Sequence, residues 1–480
     1  MHVQLDQQDI YLNLPERTED GLDEIREVIR DFFESAPLDA HGTSLFGSPE
    51  SISKAGCLAL AKKGCLYWNE WRKAFPVSSS GENAANFSGY DFTEVEIRFA
   101  GFDFGGFVDF SHCIFPGGIL SFFGSKFGDY CDFRGARFGD GCTFDKSNFE
   151  GRVCFIGSQF GLNTSFHKVE FCADVNFLGA QFGPNTQFLG CVFKGWVNFS
   201  ASSWEQLKEL NEWGDDQFAK VRQFSRRLNV SPDSFWQIDF RGTQFLGYPA
   251  KNGETSLDFS NRKFLARLDF SPLDGSPVKF ASVPKFHGCE FHQDTSFEDA
   301  LFPGPSGNDK AARAYRAIKL AFSKLQAIRE EQRFFRFEMD EEKEGHRIKG
   351  RDAIKKALPY MALREGGTWI LYWLYKQASD YGFSVTKPFL VLVMLWLLFA
   401  QIYGSYTGVE RCYDIWRAHC EIQGGWLSYS LQQALPLPGF NKLKPAIDGV
   451  SVAWVAFHKT LSIAAVFLIG LALRNLFKLK

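Results

Sequence analysis

Phenylalanine recurs through the middle of the chain with a period that suits neither a helix nor a plain strand. From Phe127 it stands at Phe133, Phe138, Phe144, Phe149, Phe155 and onward to Phe199, in steps that alternate six and five, so the true period is eleven. A helix repeats every 3.6 residues and a strand every two, and neither produces this spacing. The residue two before each phenylalanine is small or β-branched, as at Cys131, Ala136, Cys142, Ser147 and Val153. Two inward positions flanking one outward residue describe a short extended face. Glycine then marks the corners (Gly128 and Gly139 after one kind of face, Gly135 and Gly157 after the other), where the backbone needs positive φ or close approach. The ladder is less regular from Phe87 to Phe115. It breaks between Ser202 and Asn229, where Trp204, Leu207, Phe218, Val221 and Leu228 follow helical spacing, and it resumes from Phe235 to Phe302. The expected order is an N-terminal region over 1–84, a laddered body over 85–200 and 235–303, and a helical insertion over 201–234.

Past the Pro303–Gly307 turn the pattern becomes helical. Tyr315, Ile318, Phe322, Leu325 and Ile328 form an apolar stripe that must pack against the repeat or another subunit. Residues 308–385 read as a helical stalk. Between Arg347 and Arg364 stand six basic residues and one acid, followed by the aromatic segment Thr368–Tyr375, too short to span a bilayer. That order predicts an interfacial helix at the headgroups. Two longer apolar runs, 386–407 opened by Pro388 and 450–475 ending on Arg474 with Lys478 beyond, read as membrane spans. Their basic flanks place both termini in the cytoplasm and residues 408–449 outside, with 476–480 a short inner tail.

The outer segment holds two candidate features. Cys412 and Cys420 face an oxidising compartment on this topology and are candidates for a disulfide. A short amphipathic helix over about 425–435 carries Ser428, Ser430, Gln432 and Gln433 and stops at Pro436. It either lies on the outer surface or dips inward as a re-entrant pore helix, which needs shielding by protein or water.

Composition narrows the chemistry. A net charge of -3 over 480 residues offers no basic face for nucleic acid. Phenylalanine numbers 52 and methionine only 4, as expected when one side chain is repeated in one role. The acidic, polar N-terminus lacks a secretory pattern, so the body of the chain is expected in the cytoplasm. Eleven cysteines include no CxxC pair, and those in the ladder occupy inward small positions. His287, Cys289 and His292 form the nearest approach to a ligand cluster, but they point from different faces. No nucleophile elbow, P-loop, dinucleotide fingerprint or zinc-protease motif occurs. No catalytic, cofactor-binding or metal-binding residue is assigned, and an enzyme is not expected.

Segments such as Ala85–Gly89 and Ala180–Pro184 resemble the pentapeptide-repeat family, whose unit centres on Phe or Leu with a small residue two before. The resemblance implies a right-handed quadrilateral β-helix. With faces alternating five and six residues, its coils should run to about 22 residues and stack at about 4.8 Å. Gly64–Pro76, with Trp68 and Trp71 on one helical face, is similar to the helix that often precedes such repeats, implying a cap on the open end. Tyr315–Lys319, Glu331–Met339, Ser379–Gly382 and Phe467–Asn475 resemble the C-terminal region of a bacterial membrane group within that family. That implies a multi-pass protein of the bacterial inner membrane, but no activity. The first functional reading is a membrane-tethered scaffold for a protein partner or for self-association. The alternative is an oligomeric two-span ion channel with a re-entrant pore helix and the β-helix as regulatory domain. No carbonyl-lined potassium filter follows the short helix; Leu435–Gly439 stands there instead. DNA mimicry ranks last, because the ladder is not markedly acidic.

Overall fold

The computed structural model describes residues 19–77, 83–95, 97–118, 121–247, 256–406, 425–435 and 452–477. They form two compact units, Met1–Gly304 with Arg313–Glu331, and Pro305–Ala312 with Gln332–Lys480.

The first unit opens with helices α1 (Glu19–Glu34), α2 (Lys54–Lys63) and α3 (Cys65–Ala74). Strands of two or three residues follow, all paired in parallel. They are short because a face of five or six residues leaves little extended chain between corners. Val153 pairs with Val175, Gln159 with Gln181 and Glu170 with Val192, each partner 22 residues on. Earlier, Phe107 pairs with Tyr130 and Ile114 with Arg137, a register of 23. One extra residue per turn accounts for the less regular start of the ladder, and it brings Phe122, which the alternating count passed over, into line.

This register sets the rings in four columns. One runs Phe110, Phe133, Phe155, Phe177, Phe199, with centroids 4.7–5.1 Å apart and planes within 6°. The others pass through Phe138 and Phe160, Phe144 and Phe166, and Phe149 and Phe171, at 4.8–5.0 Å. Rings of different columns meet edge to face, as Phe133 does with Phe144, the arrangement aromatic quadrupoles favour. Some polar residues at the small inward positions reach the preceding turn: Ser158 donates to the Phe133 carbonyl (2.7 Å) and the Cys191 thiol to that of Phe166 (2.6 Å), whereas Thr186 bonds the Gly183 carbonyl of its own turn (2.8 Å).

Helices α4 (Trp204–Leu210) and α5 (Asp215–Leu228) form the insertion. It docks through Gln159, whose Nε2 donates to the Val221 carbonyl (2.9 Å) and to Ser225 Oγ (2.6 Å). Three columns continue across it, Phe199 stacking on Phe259 at 5.0 Å, Phe188 on Phe240 at 5.1 Å and Phe193 on Phe245 at 5.2 Å, but Phe182 meets Phe235 edge-on at 75°. At that break Arg262 takes a small residue's place. Its guanidinium lies over Phe235, and it donates to the carbonyls of Phe199 and Pro232 (both 2.6 Å). Burial there lowers its pKa to about 9.

Both ends of the column are covered. Trp68 and Trp71 of α3 are fully buried, with Trp68 5.7 Å from both Phe87 and Phe104 and its Nε1 donating to the Asp103 carbonyl (2.8 Å). At the other end, helix α6 (Asp309–Lys324) sets Phe322 5.3 Å from Phe291 and Tyr315 6.0 Å from Phe302. The stretch expected to begin a stalk is therefore a lid on the column. Its apolar stripe has the last rings as its partner.

The second unit contains α7 (Ile328–Lys355, from Gln332), α8 (Pro359–Ser379), α9 (Thr386–Tyr406), α10 (Gly425–Ala434) and α11 (Val452–Phe477). The segment read as a short interfacial helix is part of the 21-residue α8, started by Pro359 and ended by Asp380 at φ 51°. Two helices, over Thr386–Ser405 and Ala453–Phe477, are long and apolar enough to cross a membrane.

Candidate functional site between the apolar helices

The inward faces of α9, α10 and α11 meet one another, and they are not uniformly apolar. Phe399, Ala400 and Tyr403 of α9, Ser430, Gln433 and Ala434 of α10, and His458, Ser462 and Ala465 of α11 are buried. Spacings of three and four residues set each group on one helical face. His458 lies flat on Phe399, with centroids 4.1 Å apart and planes within 2°. Its Nδ1 is 3.1 Å from the Tyr403 hydroxyl. Tyr403 in turn meets Tyr429 edge-on at 5.1 Å.

Two hydrogen bonds fasten α10 to the middle of α9. Trp396 Nε1 donates to the Leu427 carbonyl (2.9 Å), and Ser430 Oγ donates to the Trp396 carbonyl (2.7 Å). Trp396 is the eleventh of the 21 residues of α9, so the short helix packs halfway along an apolar one. Four buried polar atoms on α10 and α11 have no hydrogen-bond partner among the described residues: Gln432 Oε1, Gln433 Oε1, His458 Nε2 and Ser462 Oγ.

An unpaired polar atom away from water costs about 1–3 kcal/mol, and polar groups within a bilayer mark sites of function by default. The set combines a ring nitrogen, a hydroxyl that both donates and accepts, and two amide oxygens that only accept. If the Tyr403 hydroxyl donates to Nδ1, then Nε2 of a neutral His458 carries the proton and requires an acceptor. Such an interior suits water or a small polar species.

Of the residues singled out in the sequence, Ser430 and Gln433 meet here, while Gln432 is half-buried on another side of α10. Ser428 lies in α10, but its side chain is outside the described residues, as are Cys412 and Cys420. Trp68 and Trp71 belong to the other unit. Cys289 turns inward in the column, its thiol donating to the Phe259 carbonyl at 3.0 Å. Tyr403, His458 and Ser462 belong to no local motif in the sequence. The available signal was the i, i+4 pair His458 and Ser462 in an otherwise apolar helix. Comparisons with family models, with curated proteins and with solved structures return no match, so geometry and sequence carry the functional reading.

Proposed function

We propose that this chain is an integral membrane protein of pentapeptide-repeat type, in which a β-helical interaction module serves an oligomeric two-span pore unit. The seating of α10 against Trp396 carries the reading, because it draws polar side chains into the interior of two apolar helices. A plain anchor has no need of them: apolar packing holds two spans together, and each unpaired polar group works against insertion. On this reading α10 is re-entrant, shielded from lipid by α9 and α11, and Ser430, Gln433, His458 and Ser462 border the path of a small polar species. With Leu435–Gly439 where a carbonyl filter would stand, potassium selectivity is not assigned.

The 22-residue register and the four ring columns support a four-faced β-helix; its right hand and a bacterial inner membrane follow from the family resemblance, and the basic residues flanking the two spans favour its placement on the cytoplasmic side. Its outward charged positions, such as Glu170 with Lys194, favour a second reading in which the spans only tether a protein-binding scaffold. Reconstituted full-length protein separates the two. The pore reading expects a closed oligomer by native mass spectrometry, with ion flux into liposomes that falls sharply in a His458→Leu, Ser462→Leu variant. A monomer without flux overturns the pore and leaves the tether.

A further inference from the structure

Helix α8 is inside out. Tyr360, Leu363 and Leu371 are 75, 79 and 67% exposed, and Ile370 and Leu374 are exposed as well. At 100° per residue these five fall within one arc of the helix, a stripe about 21 Å long from Tyr360 to Leu374. The opposite face is polar and bound to α7. Tyr372 donates to Glu342 (2.7 Å), Glu365 Oε2 lies 2.7 Å from His346 Nδ1, and Lys376 donates to both oxygens of Asp340 (2.6 and 2.7 Å). A helix packed on a soluble protein shows the reverse arrangement.

Each end of the stripe indicates what covers it. At the C-terminal end, Asn475 of α11 donates to the Gly382 carbonyl (2.9 Å), and Gln332 donates to the Asn475 carbonyl (3.2 Å). α8 therefore ends at the level where α11 ends, and the exposed apolar surface continues onto Phe389, Leu390 and Met394 of α9. At the N-terminal end, Arg351, Lys355 and Lys356 are exposed beside Ile354 and Leu358, and no carboxylate pairs with them among the described residues.

We propose that α8 along its whole length is a bilayer-surface helix, with the stripe in the acyl boundary and the basic corner between α7 and α8 holding anionic phospholipid headgroups. The inference rests on the reading of α9 and α11 as membrane spans. It also revises which side chains meet lipid. Tyr372, expected as a headgroup anchor, is engaged by α7, and Tyr375 packs on Tyr381 (5.6 Å), while Tyr360 and Leu363, within the stretch read only as a basic flank, carry the contact. Apolar area and neighbouring basic residues act together in such binding, the lysines being drawn to an anionic surface.

The test uses full-length protein in nanodiscs of phosphatidylcholine and phosphatidylglycerol, with p-benzoylphenylalanine in place of Leu363, Leu371 or, as a reference on α9, Met394. After irradiation, phospholipid adducts are expected at all three positions. A Lys355→Glu, Lys356→Glu variant should lower the phosphatidylglycerol share of the adducts at 363 by roughly threefold or more, since two attracting charges become repelling. Adducts at 394 with none at 363 and 371, or adducts there to a second copy of the chain, overturn the proposal and leave the spans standing. Absence of lipid at all three overturns both.

Discussion

Replacing Phe155 by alanine removes a ring from the middle of a column and tests whether the columns hold the first unit together. The side chain is fully buried. It stacks on Phe133 at 4.9 Å and Phe177 at 4.8 Å, and meets Phe160, Phe144 and Phe166 at 5.7, 6.0 and 6.4 Å. A buried Phe→Ala change costs about 3–5 kcal/mol, depending on how far the cavity collapses. Collapse is opposed here. The Phe155 amide donates to the Asn176 carbonyl (2.7 Å), and that of Phe133 to the Cys154 carbonyl (2.8 Å), so backbone bonds fix the spacing of the turns. Lost ring–ring contacts add about 0.5–1.5 kcal/mol each, which places the expected loss near the top of that range. In a stacked array the loss falls on the two neighbouring interfaces. Hydrogen-exchange mass spectrometry of the solubilised full-length protein should show it in peptides covering residues 130–180, with α9 and α11 unchanged. Phe302→Ala, at the half-buried end of another column, should cost about half as much or less. Equal losses at the two positions, or a loss at Phe155 below about 1 kcal/mol, would refute the columns as the source of stability.

Further expectations follow from single contacts. A Cβ on Gly128 would stand 1.8 Å from the Gly105 carbonyl oxygen, so Gly128→Ala must displace a neighbouring turn; Gly157, at φ +66°, meets mainly a side chain, and Gly157→Ala should cost only about 1–2 kcal/mol. The same exchange measurement ranks them. Burial raises the Asp340 pKa, but hydrogen bonds from Lys376, Lys343 and Tyr381 outweigh it and hold the carboxyl below its ordinary value. The stability it contributes is present above the unfolded value, near pH 4, and is lost as pH falls through the lower folded one. Asp340→Asn should flatten that acid limb in thermal unfolding of the second unit. Burial also raises the thiol pKa of Cys57 and Cys154 to about 11 and of Cys289 to about 12. In folded protein at pH 7.5 maleimide should reach half-buried Cys172 well before any of these. Labelling of Cys57 at the rate of Cys172, read by peptide mass spectrometry, would contradict the packing.

The ladder's inward face was legible in the chain alone, because a period of eleven with a small residue two before each ring admits one alternation of side chains. Cys131, Val153 and Val175 are buried where that alternation puts them. The insertion and the two apolar helices were equally plain, since a helical stripe or an apolar run of span length is a local property. Tertiary structure alone decided the rest. The extra residue in the early turns depends on which backbone each turn stacks upon. The stripe through Tyr315, Ile318 and Phe322 announced a partner but not that the partner was the last rings of the column. In α8 the pattern of apolar and polar positions identified two faces without saying which one met protein, and α7, bonding to Glu365, Tyr372 and Lys376, took the polar one. The meeting of Tyr403, Ser430, His458 and Ser462 joins three helices separated in sequence. Hydropathy says which side of a helix avoids water; only the packed chain says what lies against it.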